Sequence, residues 1–445
     1  MDDRIKLSDH FTYGRLIKFV YPPILMFIFL SIYGVVDGLF VSNFVGKVPF
    51  AALNLIMPVL IIISGFGYML CTGGSAVIAK TLGEGKSDLA QKYFSMLVIV
   101  TFVLGLIFTI LGQIFLKDLA ILLGAEGEML TECIKYGRIC LCSMPFYMLQ
   151  AFFQELFVTA EKPKLGFYLT ILAGCINMAL DALFILGFGW DLRGAALATA
   201  ISETVGGLIP VIYFLRPNDS LLRIRKTMMY WRVLGKACTN GLSEFIGSIS
   251  SSVVAIIFNI QLLKLAGENG VAAYGVIMYV CMIFIGIYIG FTMGVSPIIS
   301  FNFGAKNHDE LKNVFLRCEK LMIATGTGML IIGFFFARPL ASIFVGYDPE
   351  LLELSVYGLR IYSFSFLLAG VNIFGSALFT ALNNGLISGT ISFLRTLLFE
   401  CGAVIILPIF FGLDGIWFSI IVAELSALII TVIFIITNRK RYHYL

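Results

Sequence analysis

The sequence predicts an all-α polytopic membrane protein: twelve transmembrane helices in two six-helix lobes, the second lobe a parallel pseudo-twofold repeat of the first. Three observations carry that expectation: an apolar composition, long runs without charge, and a repeat at one constant offset. The 445 residues are 59% hydrophobic and 13% charged, with a mean hydropathy of +0.96. A soluble domain carries about 25% charged residues, so too little polar surface is present to cover a water-soluble globule.

Crossing a bilayer takes about 20 apolar residues in a helix. The stretches 48–79, 93–116, 269–305, 321–337 and 361–394 contain no Asp, Glu, Lys or Arg. They are longer than barrel strands of roughly ten residues, and they are apolar on every face, which selects helices. Spans are expected near 16–42, 50–79, 91–116, 131–159, 165–188, 194–215, 234–263, 270–301, 315–337, 353–380, 386–411 and 414–437.

The opening MDDRIKLSDHFTYGR is polar, lacks a small-residue cleavage site and runs straight into the first span, so it does not read as a signal peptide. Nine cysteines are scattered without a CxxC, and His10, His308 and His443 all fall outside the spans. Structural disulfides, a metal cluster and a histidine proton relay are therefore not expected. With twelve spans both termini share one side. That side collects twenty-two Lys and Arg against five opposite, which places both termini in the cytoplasm of a plasma or inner membrane protein. The net charge of +4 is then a topology signal, and no nucleic-acid partner is implied.

The repeat has an offset of 221. GGSAVIAKTLGEGKSD from Gly73 aligns with GVSPIISFNFGAKNHD from Gly294, so that Gly73/Gly294, Ser75/Ser296, Gly83/Gly304 and Asp88/Asp309 coincide. AALNLIMPV from Ala51 aligns with AAYGVIMYV from Ala272, and Gly194/Gly415 and Glu203/Glu424 keep the same offset. The expected division is a first lobe at 1–215, a charged cytoplasmic linker at 216–236 and a second lobe at 237–445. Six spans per repeat make the repeat parallel, about an axis along the membrane normal. Two such lobes leave a central cleft that rocking opens to alternate sides. That is the plan of a transporter. No HExxH, nucleophile elbow or Walker A pattern supports an enzyme or ATP-driven transport. No cofactor is expected, only a coupling ion, H⁺ or Na⁺.

Ionisable groups inside a span are costly and usually work there. Asp37, Asp181, Glu203, Glu244, Glu400 and Glu424 are the acidic candidates, whereas Glu132 and Glu155, near the ends of span 4, are expected to reach water. Asp37 in span 1, Asn177 and Asp181 in span 5, and Thr199 in span 6 share the outer half of the membrane. Tyr33/Asp37 and Asn177/Asp181 are each four apart, hence on one helix face. If those faces meet, two carboxylates, an amide, a phenol and a hydroxyl converge. Such a group can hold a proton, or coordinate Na⁺ through Asp37, Asn177 and Asp181; it can equally be a structural hydrogen-bonded cluster. Pro22 and Pro23 in span 1 mark a bend point, either responsive to Asp37 or fixed. Glu244, without an acidic counterpart in the repeat, is a candidate substrate counter-charge or second protonation site. The Glu203/Glu424 pair suggests packing as readily as transport, and Glu400 and Arg395 on span 11 can pair with other helices.

The stretches YPPILMFIFLSIYGVVDGLFVSNFVG, AALNLIMPV, LGEGKSDLA, CINMALD and GAALATAIS resemble the multidrug and toxic compound extrusion (MATE) family over essentially the whole chain. The resemblance implies twelve helices in two lobes about a V-shaped cavity, and antiport of cationic amphiphiles against H⁺ or Na⁺. It also implies that Asp37, Asn177 and Asp181 form a first-lobe cation site, with Tyr33 and Thr199 accessory to it and Pro22 the bending proline. Glu244 is similar to an acidic residue in span 7 of some members. Span 10 lacks the acidic residue that one branch carries, which favours coupling through the first lobe. The expected partners are a small cationic or amphiphilic molecule and the surrounding lipid, with a monomer as the working unit. A flippase for lipid-linked or polysaccharide precursors is the first alternative. It calls for a basic cleft, yet only Lys135, Arg138, Arg360 and Arg395 lie within spans. A polytopic membrane enzyme is the second.

Overall fold

A computed structural model of the chain describes residues 5–45 and 47–445; the side chains of residues 37–43, 47 and 50 lie outside that description. Every regular element among the described residues is helical: α1 Tyr13–Phe44, α2 Lys47–Gly83, α3 Ser87–Leu122, α4 Gly127–Thr159, α5 Pro163–Asp181, α6 Asp191–Leu215, α7 Trp231–Asn240, α8 Leu242–Gly304, α9 His308–Phe335, α10 Ala337–Val345, α11 Pro349–Ala381, α12 Gly385–Ser392 and α13 Cys401–Tyr442. Two π-helical segments, Ala182–Gly187 and Phe393–Glu400, continue α5 and α12.

Among the described residues, nine helices are long and apolar enough to cross a membrane. Two of these hold two spans each: α8 breaks at Gly267 (φ 61°), and the continuous helix Gly385–Tyr442, made of α12, the second π-helical segment and α13, breaks at Gly412 (φ 57°), left-handed conformations that glycine adopts without a Cβ penalty. Helix α4, made less apolar by Glu132, Lys135, Arg138 and Glu155, supplies the twelfth. The twelve expected spans are thus present, and the protein is a multi-pass membrane protein.

Local chemistry sets several boundaries. Pro163 and Pro349 stand in the first turns of α5 and α11, where a missing N–H costs nothing. The Asp348 carboxylate caps α11 by accepting from the Glu350 and Leu351 N–H groups at 3.0 and 3.1 Å. Three boundaries depart from expectation. Helix α7 begins at Trp231, inside the stretch expected to be linker. Span 7 is divided at Gly241, where α2 comes so close that a Cβ would strike the Met69 carbonyl oxygen. Span 9 ends at Phe335, and α10 follows as a short helix of its own, burying Ala337, Ala341 and Val345 at four-residue spacing.

The repeat is visible in the backbone. Left-handed residues recur at the 221 offset, at Gly85 and Lys306 and again at Asp191 and Gly412. The buried cores also segregate. Two clusters belong to the first half, and a third, larger one belongs mainly to the second. The third cluster also takes in Leu7, Phe11, Leu16, Phe19 and Val20, so the N-terminal segment and the first turns of α1 pack into the second half. The segment is tied down by polar contacts. Asn302 Nδ2 donates to the Leu7 carbonyl at 3.4 Å, Asn313 Nδ2 donates to the Phe11 carbonyl at 3.0 Å, and the Phe11 N–H donates to Glu310 Oε1 at 2.8 Å. The Leu7 N–H meanwhile donates to Glu161 Oε1, in the α4–α5 loop of the first half, at 2.7 Å. Residues 5–11 therefore strap the two halves together at the end of the molecule that carries the basic loops.

Between the halves, α1 packs on the second span of α8, and α2 meets the first span at Phe245 and Ser248 and the second at Phe301 and Gly304. Helix α8 approaches α1 backbone to backbone where the two prolines stand: a Cβ on Gly290 would lie 2.6 Å from Ile24 Cα and 2.7 Å from the Pro23 carbonyl oxygen.

Candidate functional site

Helices α5 and α6 bring Asn177, Asp181 and Thr199 together, and α1 adds Tyr33. Asn177 and Asp181 are fully buried, on adjacent turns of one face of α5. The Asn177 amide lies 3.3 Å from the Thr199 hydroxyl. One amide orientation satisfies every neighbour. In it the nitrogen donates to Asp181 Oδ2 at 2.7 Å and to the Tyr33 hydroxyl at 3.3 Å, while the oxygen accepts from the Thr199 N–H at 3.0 Å and its hydroxyl at 3.3 Å. Four of the five residues expected to converge are thus neighbours. Asp37 lies on α1, four residues beyond Tyr33, and its side chain is outside the described residues. Immediately after Asp181 the helix widens into the π-helical segment, with the Phe188 N–H donating to the Leu183 carbonyl five residues back. Such insertions recur at functional sites because they re-aim the following side chains.

Tyr33 also lines a cavity of about 340 Å³ walled mainly by the first half and closed by Met282 of α8, with Tyr68, Tyr147, Gln150, Gln154 and Glu203. Glu203 accepts from the Ser143 hydroxyl at 2.6 Å. A second cavity, of about 440 Å³, lies between the halves and carries Glu155, Glu244, Arg395 and Ser296 on its walls. The two cavities share Phe27 and Tyr68. Glu244 is exposed to this cleft.

Glu155 lies at the cleft wall and not at the outer surface. It is 2% exposed, covered by α2, and its Oε2 accepts from the Cys71 thiol at 3.3 Å. Counting residues from the end of span 4 predicted a surface position. What it could not show is that α2 lies across that turn, where Ser75 and Thr159 also bond at 2.8 Å. The counterparts Glu203 and Glu424 have different partners. Arg395 donates to Glu424 from Nε at 2.9 Å and from Nη2 at 2.7 Å, and Asn372 Nδ2 donates to Glu424 Oε2 at 2.7 Å. Arg395 and Glu400 lie on the second π-helical segment, in the span equivalent to the one that carries Asp181. Both halves therefore place a π-helical stretch beside a buried ionisable group.

Comparison with known proteins is consistent across the length of the chain. The MatE family model matches residues 22–183 and 245–402. A multidrug export protein, MepA, of Staphylococcus haemolyticus (strain JCSC1435) is 25% identical over 434 residues, covering 96% of this chain and 94% of that protein. Among solved structures, a crystal structure of MATE in complex with MaL6 superposes with a TM-score of 0.92 at 22% identity, over 96% of both chains. The outward-facing conformation of a multidrug resistance MATE family transporter of the MOP superfamily gives 0.91, at the same identity and coverage.

Proposed function

Because the chain belongs to the multidrug and toxic compound extrusion family, and is a multidrug efflux transporter and not an enzyme, we propose that it expels amphiphilic organic cations in exchange for protons, by alternating access of the cleft between its halves. The observation that carries this reading is the buried Asn177–Asp181–Tyr33–Thr199 cluster. Asp181 is the proton carrier in this account, and Asp37 is its partner carboxylate on α1.

An ionised Asp181 accepts from the Asn177 amide. A protonated one offers an O–H there, which competes with that bond. Asn177 also donates to Tyr33, so the change on α5 is felt on α1. Helix α1 carries Pro22 and Pro23, where backbone hydrogen bonds are missing and bending is cheap. Gly290 of α8 rests against that point, so a bend in α1 moves one wall of the cleft.

H⁺ is taken as the coupling ion because a carboxyl beside the Asn177 amide and the Tyr33 hydroxyl can hold a proton; the oxygens of Asp181, Tyr33 and Thr199 make Na⁺ the alternative that the separate gradients distinguish. The flippase alternative is disfavoured, because Arg395, the cation on the cleft wall, is engaged by Glu424. The proposed working unit is a monomer in lipid with both termini cytoplasmic, since each half already supplies one wall of the cleft.

Purified protein in proteoliposomes tests the reading. A pH gradient and a sodium gradient are imposed separately while efflux of a fluorescent cation is followed. The pH gradient alone is expected to drive efflux. Efflux driven only by sodium, or by neither gradient, would overturn the assignment.

A further inference from the structure

We propose that Glu155 and Glu244 form a two-carboxylate site for dications, each half of the protein holding one of the substrate's two charges. The inference rests on the export reading above and narrows its substrate class.

Three observations converge on the cleft cavity. The first is its charge. Glu155 projects from α4 of the first half and Glu244 from α8 of the second, into one space of about 440 Å³, a volume suited to a drug-sized molecule. The remaining charged group on the wall is Arg395, with Tyr68 and Cys71 the other titratable ones. The guanidinium of Arg395 is held by Glu424 through both Nε and Nη2, and Glu424 is held in turn by Asn372, so Arg395 adds little net charge. Among the described residues, Glu155 and Glu244 are the ionisable acids of the wall without an ion-pair partner.

The second observation is unmet hydrogen bonding. Ser296 Oγ is buried without a hydrogen-bond partner among the described residues. Ser75, the counterpart of Ser296 in the repeat, is satisfied by Thr159 at 2.8 Å. The second-half serine is thus left facing the cavity where the first-half serine is not, as a group reserved for a ligand would be.

The third observation is the apolar wall. Phe27, Ile289 and Met293 line the same space and suit the flat or aliphatic body of an amphiphile. Two ionised carboxylates in such a setting are costly unless compensated. A dication compensates both. A monocation leaves one of them bare or holding a proton, and so binds less well.

Ethidium and propidium share one phenanthridinium fluorophore, and propidium carries a second, quaternary ammonium charge. Their export by the full-length protein in proteoliposomes, as kcat/KM, gives a propidium-to-ethidium ratio. The ratio is expected to fall about tenfold in Glu155→Gln, equivalent to about 1.4 kcal/mol of discrimination, and to be restored by Glu155→Asp. Glu244→Gln, on the open wall where folding is less at risk, is expected to show the same fall. An unchanged ratio in either variant, or equal loss of both dyes, overturns the dication site. Failure of the wild type to export ethidium would instead overturn the export reading on which it rests.

Discussion

Gly83 and Gly304 occupy equivalent places in the repeat, and each lies against the other's helix. A Cβ on Gly83 would strike the Phe301 carbonyl oxygen, and one on Gly304 would strike that of Lys80. Lys80 and Phe301 are themselves equivalent at the 221 offset. The contact is thus a near-symmetric crossing of α2 and α8 that shuts the basic end of the cleft, and glycine is required because nothing larger fits.

Gly83→Ala and Gly304→Ala should each wedge that end apart. Overpacking costs about 1–3 kcal/mol, and about 1.4 kcal/mol changes a two-state ratio tenfold, so the closed-to-open ratio should fall by about fivefold or more. Distances between spin labels placed across the mouth would lengthen in both variants. Unchanged distances would show that this crossing does not hold the halves together.

The N-terminal strap should matter for the same closure. Glu310 accepts from the His10 ring at 2.6 Å and from the Phe11 N–H at 2.8 Å. Glu310→Ala strands that N–H in a buried setting, at a cost of about 1–3 kcal/mol. Faster amide exchange is expected at Leu7 and Phe11, with little change in the spans of the first half. Equal protection in the variant and the wild type would mean that the strap is held by Leu7 and Phe11 packing alone.

The Arg395–Glu424 pair predicts a non-additive result. Arg395→Met leaves the Glu424 carboxylate buried without its partner, which typically costs about 3–5 kcal/mol. Arg395→Met together with Glu424→Met removes both charges and should recover most of that loss. Thermal unfolding in detergent reads the difference. A double variant no better than the single one would assign the pair's importance to geometry over charge balance.

The features that could be read in advance are those set by spacing along one helix. Asn177 and Asp181, and Tyr33 on α1, follow from four-residue steps and depth, and the twelve spans follow from runs of apolar residues. What escaped depends on register between helices. The burial of Glu155 needs α2 to lie across it, and the pairing of Arg395 with Glu424 needs two spans to face each other at one height. The π-helical segments after Asp181 and around Arg395 shift the helix by a residue, a change that composition does not encode. The break at Gly241 follows an Asn-Gly pair, a turn signal hidden within a long apolar run, and the backbone of α2 close by leaves room for nothing larger than glycine there.

Asp181, as the proposed carrier of the coupling proton, is tested by setting gradient-driven efflux beside substrate counterflow in proteoliposomes holding Asp181→Asn. Counterflow exchanges labelled for unlabelled cation without net proton movement. Counterflow is expected to persist while efflux against the cation's own gradient is lost, and Asp37→Asn is expected to behave alike. An Asp181→Asn variant that still pumps uphill in response to a pH gradient would contradict it.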